Sequence, residues 1–472
     1  FYLGVIEVEE TTIGAIIDDP NFFVDFFFLP IEAGDTQIFV TVDLENGISE
    51  ADENNNSKIH TITVKDTSGL YLHNIELIDL FQREPEDVGN TVAEGGRFIS
   101  WVYPVTKSEF TNTFSPTPYK SLSYLTGTLG FFEDAQKLWL KAIKESNGSS
   151  NRAVAIVPQE YLDFHTGCSK VAGTVVDKTL FVVGGSYTTT AHELGHSYQL
   201  GEGYEWLEGE DPCRTTIINK GEIVSGYNVE LRSPITDVLD FMGVEETPKI
   251  FDEWVSRVNF EHLFSHPEFL ENPEDPEILI ITGLIDSDGV VKLGVLERLI
   301  EGVPSVTQSS EYLLNLFDNQ GQTLQTTPIY VDFVMERDPL HPIQLEIGVF
   351  MLTIPYPEKA LFLEIVHKGE KLLELDITTT LLHHAVDAIP DFGFVKNPDQ
   401  RRNALHNKIN EINEKIQSGD IESAVNKLQF DVKPKLEMWL IDNYQPEDVF
   451  QYSKAEIISL VNEMIERLVA LD

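Results

Sequence analysis

The segment from Thr188 to Glu202 holds the residues whose types and spacing are best suited to chemistry. It reads Thr-Thr-Thr-Ala-His-Glu-Leu-Gly-His-Ser-Tyr-Gln-Leu-Gly-Glu and contains the spacing H-E-x-x-H at His192, Glu193 and His196. Residues four apart lie on one face of a helix, so both imidazoles can direct a nitrogen at one zinc ion at about 2.0–2.1 Å. Glu193 then lies beside the metal, where a carboxylate can take a proton from bound water. The alternative is an ordinary helix that carries two histidines.

A catalytic zinc also needs a third protein ligand and one open position for water. No histidine follows closely, and Glu202, six residues after His196, is the first candidate. Gly201 is expected to end the helix, which would let the chain bring Glu202 back to the metal. Glu205 is the local alternative and Glu253 is the distant one.

The flanking patterns predict the elements that must position this helix. Residues 131–144 carry apolar side chains at helical spacing, while 153–157 and 179–183 are short apolar runs that predict buried strands. The histidine motif follows the second run directly, which predicts a helix packed against a sheet.

The motif resembles that of the metzincin clan of zinc peptidases, H-E-x-x-H-x-x-G-x-x-H or -D, with Glu202 at the last position. The stretch Leu200-Gly201-Glu202-Gly203-Tyr204 is similar to immune-inhibitor-A-type peptidases. Gln199 stands where the clan has glycine, and glutamate replaces its histidine or aspartate. The turn is therefore expected at Gly201, and the third ligand departs from the clan's pattern.

The resemblance implies further site residues. Asp240-Phe241-Met242-Gly243 resembles the clan's Met-turn, with Met242 beneath the zinc, and Trp254 and a helix near Phe260–Phe264 follow it. The strand 178–183 would be the clan's upper strand, which binds extended substrate by β pairing. In a different clan, the gluzincins, the third ligand is a glutamate on a later helix, for which Glu253 is the candidate.

Residues 1–66 have an all-β pattern, with alternation at 37–42 and 60–64. This part resembles the last hairpin of a CARDB-type immunoglobulin-like domain. Its acidic loop, 43–57, offers oxygen ligands for calcium, and a solvated hairpin is the alternative.

The remainder divides into a β-rich part and a helical part. Residues 275–380 alternate strands with turn signals at 286–289 and 318–321, which predicts a β-sandwich; Asp286 and Asp288 suit either a cation or a tight turn. Residues from about 395 carry helical apolar stripes, such as Leu405, Ile409, Ile412 and Ile416, which form a bundle core or a partner interface.

These patterns predict a multidomain α+β protein. The expected domains are 1–68 (CARDB-like β), 69–270 (metzincin-like peptidase), 271–390 (second β-sandwich) and 391–472 (helical bundle). Their order resembles that of secreted archaeal surface proteases.

Charge and cysteine content narrow the function classes. The formal net charge of -45 disfavours nucleic acid as a partner, because such a surface repels phosphate. No apolar run reaches the roughly 20 residues of a membrane span. A signal peptide has been removed, or the numbering starts inside a longer chain. The cysteines Cys168 and Cys213 flank the motif and predict one disulfide, with two free thiols as the alternative.

Together these observations predict an extracellular or cell-surface zinc endopeptidase that acts on proteins or peptides, with Zn²⁺ as cofactor and Ca²⁺ as a second candidate. The alternative is a surface-layer or filament protein that retains a peptidase-like scaffold and assembles through its β or helical domains.

Overall fold

The computed structural model describes residues 34–41, 57–64, 69–105, 109–121, 128–168, 171–185, 187–200, 205–207, 216–219, 223–228, 233–242, 253–270, 276–305, 309–337 and 340–471. The chain forms two compact units, residues 1–67 and 68–472. The protein is a mixed α+β protein with several sheets.

The described residues of the first unit form an antiparallel pair of strands. β1 (Gly34–Thr41) pairs with β2 (Ser57–Val64) in continuous register, from Gly34 opposite Val64 to Thr41 opposite Ser57. These strands match the two predicted alternating runs. Residues 42–56, which make up nearly all of the acidic loop, lie outside the described residues, so calcium binding there stays a prediction.

The second unit begins with a sheet covered by helices on both faces. Its elements, in chain order, are β3 (Leu70–Ile78), α1 (Val88–Val102), β4 (Phe110–Phe114), β5 (Tyr119–Lys120), α2 (Thr128–Glu145), β6 (Arg152–Val157), α3 (Gln159–Thr166), β7 (Gly173–Val176), β8 (Thr179–Val183) and α4 (Thr189–Ser197). The main strand order is β4-β3-β6-β8-β7, and β5 pairs with β3. β7 is antiparallel to its neighbour, whereas the others run parallel.

The central strand β6 shows why this sheet is covered on both faces. Alternate residues of a strand point to opposite faces of the sheet. All side chains of β6 are buried, so both faces of the sheet are covered at this strand. Ala153 and Ala155 pack with the apolar stripe of α2, as the helical spacing at 131–144 predicted. Val154 packs on the other face with α1 and α4. The helix that carries the two histidines therefore lies directly on the sheet.

The segment after α4 contains short strands and two helices: β9 (Glu205–Leu207), β10 (Thr216–Asn219), β11 (Ile223–Asn228), β12 (Ser233–Asp240), β13 (Glu253–Trp254), α5 (Arg257–Ser265) and α6 (Pro267–Leu270). β9 pairs with β10, and β11, β12 and β13 form a small sheet. α5 corresponds to the helix that was predicted near Phe260–Phe264.

The β-rich part forms two four-stranded antiparallel sheets. Its strands are β14 (Ile278–Asp286), β15 (Val291–Leu299), β16 (Tyr312–Phe317), β17 (Thr323–Ile329), β18 (Asp332–Arg337), β19 (Leu340–Pro355), β20 (Phe362–His367) and β21 (Glu370–Asp376). The strand orders are β15-β14-β19-β18 and β17-β16-β20-β21. The Asp286 carboxylate accepts hydrogen bonds from the backbone N–H of Asp288 and Val290, as in a tight turn.

The last part is helical, with α7 (Ile377–Asp387), α8 (Pro398–Gln417), α9 (Ile421–Lys427), a π-helical turn (Leu428–Val432), α10 (Lys433–Trp439) and α11 (Lys454–Ala470). The predicted stripe of α8, Leu405 to Ile416, is buried, so these side chains belong to the core. Pro434 lies in the first turn of α10, where a missing N–H is tolerated. Among the described residues, no helix has both the length and the apolar character that a membrane crossing requires.

Two hydrophobic cores cross the predicted domain boundaries at 270 and 390. One core contains Leu279 and Phe350 of the β-rich part together with Leu405 and Ile457 of the helices. Another joins the α2 stripe with Ile280 and Met351. The helix α7, within the part that was expected to be all-β, belongs to the first core. The three parts of the second unit are therefore packed against each other through apolar side chains.

Candidate metal site

The histidine motif lies on α4, as its spacing predicted. His192, Glu193 and His196 are all buried, and Glu193 has no exposed surface. Burial of polar side chains requires defined hydrogen-bond or metal partners, because their desolvation is otherwise costly.

Each histidine forms a hydrogen bond to a backbone carbonyl group through its Nδ1 atom. Nδ1 of His192 lies 3.0 Å from the Phe241 carbonyl oxygen, and Nδ1 of His196 lies 3.0 Å from that of Leu200. A carbonyl oxygen only accepts, so both Nδ1 atoms are donors. In the neutral imidazoles both Nε2 atoms then carry a lone pair, which is the form that binds a metal.

The two Nε2 atoms face each other at 3.0 Å, with the rings inclined at 75°. Two nitrogens that bind one tetrahedral zinc at about 2.0–2.1 Å lie roughly 3.3 Å apart, so the observed separation is close to what a metal requires. Two lone pairs at this distance repel each other unless a cation or a proton lies between them. The donor set therefore fits a zinc ion.

A second histidine pair provides an internal comparison. Nδ1 of His383 on α7 and Nδ1 of His406 on α8 are 2.6 Å apart, and their rings are inclined at 22°. The ring centroids of this pair are 4.9 Å apart, which is the nitrogen separation plus the radii of the two rings, so the nitrogens lie almost in line between the centroids. At His192 and His196 the centroids are closer, at 4.7 Å, although the nitrogens are farther apart, at 3.0 Å. In-line lone pairs point at each other, so a metal bound to both nitrogens at about 2.0–2.1 Å would lie off both lone-pair axes. At the buried pair the lone pairs converge at an angle, which leaves a position for a metal beside the line between them.

Glu193 lies against the edge strand of the main sheet. A Cβ atom added at Gly173, the first residue of β7, would overlap Oε1 of Glu193 and the Cγ2 atom of Thr189. Glycine at this position lets the strand approach α4 closely. Gly173 was not identified from the sequence, because its partner is distant along the chain.

The chain leaves α4 earlier than predicted. The helix ends at Ser197, before Gly201, and Gln199 has a left-handed backbone with φ of 65°. The backbone N–H of Leu200 donates to the Gly195 carbonyl at 3.0 Å, and that of Gln199 donates to the His196 carbonyl at 2.8 Å. The prediction that Gly201 ends the helix was therefore wrong, because the left-handed Gln199 already follows the last helical turn.

Met242 lies directly beneath α4. It is fully buried, and a Cβ atom added at Gly195 would lie 2.6 Å from its sulfur. The Asp240 carboxylate holds this turn by accepting hydrogen bonds from the backbone N–H of Met242 at 2.8 Å and from the side chain of Asn259 at 2.8 Å. Asp240 belongs to the segment that suggested the Met-turn, but its role as an acceptor appears only in the structure.

The C-terminal end of α4 is held by a buried ion network. The Arg152 guanidinium donates to the Ser197 hydroxyl at 2.9 Å, to the Ser197 carbonyl at 3.3 Å and to Glu268 at 3.0 Å. Desolvation disfavours the Glu268 carboxylate, but Arg152 and Lys178 outweigh it and lower its pKa to about 2. A positive charge at this end also complements the helix dipole. The sequence gave no signal for Arg152, which begins a buried strand.

A cavity opens beside His196. It lies between the β7–β8 turn and the β-rich part, and its walls include Val175, Asp177, Lys178, Ile329, Tyr330 and Met351. The Asp177 carboxylate accepts a hydrogen bond from the Met351 backbone N–H at 2.6 Å, which joins the two walls.

The predicted third ligands are not settled by this geometry. Glu202 lies outside the described residues, and only the backbone of Glu205 and Glu253 is described, in β9 and β13. Within the described part of the chain, no three His, Cys, Asp or Glu side chains form a metal-binding group.

Cys168 is buried and disulfide-bonded, while Cys213, the chain's other cysteine, lies outside the described residues, so their pairing stays a prediction.

The expectation that the strand at 178–183 binds substrate is wrong. That strand is β8, and it is paired on one side with β6 and on the other with β7. It has no edge to offer, because both sets of backbone groups already form ladders. The outer strand of the sheet is β7.

Comparison with family models, curated proteins and solved structures yields no match. The functional assignment therefore depends on the motif and its geometry.

The pH dependence of the unfolding free energy should report the protonation of the Asp177 carboxyl group. Desolvation raises the pKa of its carboxyl from 3.8 to about 6, although Lys178 and Arg152 act in the opposite direction. Because the pKa is higher in the folded state, this group stabilises the fold most below pH 3.8, and the contribution is lost as the pH rises through 6.

We therefore expect Asp177→Asn to change the slope of unfolding free energy against pH between about pH 4 and pH 6, measured by urea denaturation. Asp288→Asn, at an exposed turn, is the control and should leave the slope unchanged. Equal slopes for Asp177→Asn and the parent protein would contradict the raised pKa.

Proposed function

We propose that this protein is a zinc-dependent endopeptidase. The observation that carries the proposal is the buried histidine pair, whose Nδ1 atoms both donate to carbonyls while their Nε2 atoms converge at 3.0 Å. A scaffold helix has no need for two imidazoles in this tautomer, with a buried glutamate between them. The in-line pair at His383 and His406 leaves no position for a metal beside its facing nitrogens.

The roles of the chain's own groups follow from this arrangement. His192 and His196 would hold the metal through Nε2. A bound zinc ion supplies a Lewis acid and lowers the pKa of coordinated water. Glu193 accepts, at a carboxylate oxygen, a proton from the water that attacks the peptide carbonyl. It then donates this proton to the nitrogen of the leaving amine. Gly173 keeps that carboxylate against β7, so its position is defined before substrate binds.

The surrounding fold supports the finer parts of this proposal. The packing of Met242 against Gly195 of α4 supports the assignment of this segment to a Met-turn. The sheet with its antiparallel outer strand would form the metzincin-like peptidase domain, and the two antiparallel sheets would form the accessory β-sandwich. We further propose Glu202 as third ligand, an extracellular or cell-surface location and protein or peptide substrates.

Glu193→Gln should retain zinc and lose peptidase activity. The amide has nearly the same size but does not accept the proton, so casein hydrolysis should fall by at least about 10²-fold. Zinc content is measured by elemental mass spectrometry, and a chelator should abolish the activity of the parent protein.

Glu133→Gln, a half-exposed position on α2, is the matched control and should behave like the parent protein. Full turnover by Glu193→Gln would exclude it as the base. A parent protein that binds no zinc and cleaves no casein would instead favour the surface-layer or filament function.

Replacing the third ligand should weaken zinc binding more than replacing its neighbours. We expect Glu202→Ala to raise the dissociation constant for zinc by more than about 100-fold, beyond the usual effect of an outer-shell residue. Competition with a chromogenic chelator measures it. Glu205→Ala and Glu253→Ala are the matched controls, and a larger effect in either would transfer the assignment to that residue.

Gly173→Ala should impair catalysis without removing the metal. The added methyl group overlaps the Glu193 carboxylate, so that group must move, and we expect casein hydrolysis to fall by about tenfold or more with zinc content unchanged. Gly89→Ala, on α1 with open space around it, is the control and should retain full activity. Unchanged hydrolysis by Gly173→Ala would show that the strand does not position Glu193.

A further inference from the structure

A row of hydrogen-bonded polar side chains lies on the face of the main sheet that α2 covers. Nε2 of His73, on β3, is 2.7 Å from Oε2 of Glu145, at the end of α2. Nδ1 of the same ring is 2.8 Å from Oγ1 of Thr113, on β4. His73 and Thr113 are direct partners in the parallel pair of β3 and β4, which holds the two side chains together. A hydroxyl, an imidazole and a carboxylate are thus joined in that order.

The protonation of this row is set by the carboxylate. Desolvation disfavours the charged form of Glu145, but hydrogen bonds from His73 and Lys141 outweigh it and lower the pKa of the carboxyl to about 2. A carboxylate only accepts, so Nε2 of His73 is a donor and, in the neutral ring, Nδ1 carries the lone pair. The Thr113 hydroxyl is 2.8 Å from this nitrogen and 3.3 Å from the Leu72 carbonyl oxygen. The shorter contact favours donation to the imidazole.

This arrangement is the one in which a base activates a nucleophile. The hydroxyl and the imidazole lie within the range of about 2.6–3.2 Å that proton transfer requires, and a third group orients the base. His73 is buried, at 4% exposure, whereas Thr113 is only partly buried. β4 is also the last strand in the main strand order. A molecule from solvent can therefore reach the hydroxyl, while the base behind it is kept from water.

The backbone beside Thr113 supplies a donor for a developing oxyanion. The Ser115 N–H donates to the Asn74 carbonyl of β3 at 2.8 Å, so it points toward β3. Successive N–H groups of a strand point to opposite sides, which directs the Phe114 N–H to the outer side of β4. Among the described strands, β4 pairs with β3 alone. The N–H of the residue after a nucleophile is an oxyanion donor in hydrolases that use a serine nucleophile.

We propose that Thr113 and His73 form a second, metal-independent catalytic site that hydrolyses small carboxylic esters. The Thr113 oxygen forms a bond to the ester carbonyl carbon and passes its proton to Nδ1 of His73. The bond to the alcohol oxygen then breaks, and the alcohol leaves with that proton. A water molecule next attacks the acyl group and gives one proton to His73, which returns it to the Thr113 oxygen as the carboxylic acid leaves. Glu145 is the positioning residue that keeps the imidazole in the required tautomer.

The surroundings of the hydroxyl limit the substrates to esters with a small acyl group. The Thr113 hydroxyl is only partly exposed, so a bulky acyl group is excluded. With the Phe114 N–H as oxyanion donor, an alcohol is expected as the leaving group, because expelling an amine requires more stabilisation of the transition state. The proposal uses no residue of α4 and is independent of the peptidase function.

The first test uses p-nitrophenyl acetate and the full-length protein with Glu193→Gln, which removes the base of the proposed peptidase. We expect an acetyl group on Thr113, located by peptide mass spectrometry after acid quenching. Thr113→Val has nearly the same shape and lacks the nucleophile, so protein-dependent hydrolysis should fall by at least about 10²-fold. Thr113→Ser restores a hydroxyl and should be acetylated at the same position. Thr111→Val, on the same strand, is the matched control and should hydrolyse the ester at the rate of the Glu193→Gln protein.

The second test changes the tautomer of His73. In Glu145→Gln the amide oxygen must face the Lys141 ammonium, which only donates and lies 2.6 Å from Oε1 of Glu145. The amide nitrogen then donates to Nε2 of His73, so the ring proton moves to Nδ1. The Thr113 hydroxyl loses its acceptor on the ring, and its acetylation should slow by at least about 10²-fold. The imidazole nitrogen resonances in NMR spectra report the position of the proton.

Absence of an acetyl group from Thr113 would overturn the proposal, and so would equal hydrolysis by the Glu193→Gln protein with and without Thr113→Val. If Thr113→Val does not fold, Thr113→Ser and Glu145→Gln decide. An unchanged tautomer in Glu145→Gln, or a changed tautomer with unchanged acetylation, would overturn the role of His73 as a base oriented by Glu145. Zinc content and casein hydrolysis have no bearing on these results, so a failure of the peptidase function is recognised separately.

Discussion

The structure around the candidate site depends on the protonation of two imidazoles. His192 and His196 each donate from Nδ1 to a backbone carbonyl, so the nitrogens that face each other at 3.0 Å carry lone pairs. Two buried acceptors so close are unfavourable unless a cation or a proton lies between them. The carbonyl groups come from separate turns, at Phe241 and at Leu200. Both turns must therefore hold their positions for the pair to keep the form that binds a metal.

The groups that hold these two turns also determine how the two imidazoles are oriented. Asp240 fixes the backbone of Met242, next to the carbonyl group that orients His192. Arg152 fixes the end of α4, close to the turn that orients His196. Outer-shell groups of this kind determine which tautomer a ligand adopts and how basic it is. Buried ion pairs in general contribute little net stability. The ion pair of Arg152 and Glu268 instead fixes the position of the end of α4.

The parts of the site that could be predicted from the sequence are those that depend on near neighbours. The spacing of His192 and His196 predicted one helical face, and both side chains lie on α4. The turn at Gln199 could not be predicted, because a left-handed glutamine is unfavourable alone and is held by hydrogen bonds to α4. The outer position of β7 could not be predicted either. Its composition resembles that of β8, and which strand lies outside depends on pairing with β6, distant along the chain.

The shared cores determine how this site can open. In many enzymes a cleft between two domains opens by hinge motion, which requires an interface that separates at low cost. Here Ile280 and Met351 are buried with the helix that covers the main sheet, and Leu279 and Phe350 on the opposite faces of the same strands are buried with the C-terminal helices. A hinge between these parts would expose apolar side chains on both faces of one sheet. The β-rich part therefore keeps a fixed position against the main sheet, and the cavity beside His196, which lies between them, is shaped by apolar packing and not by a hinge.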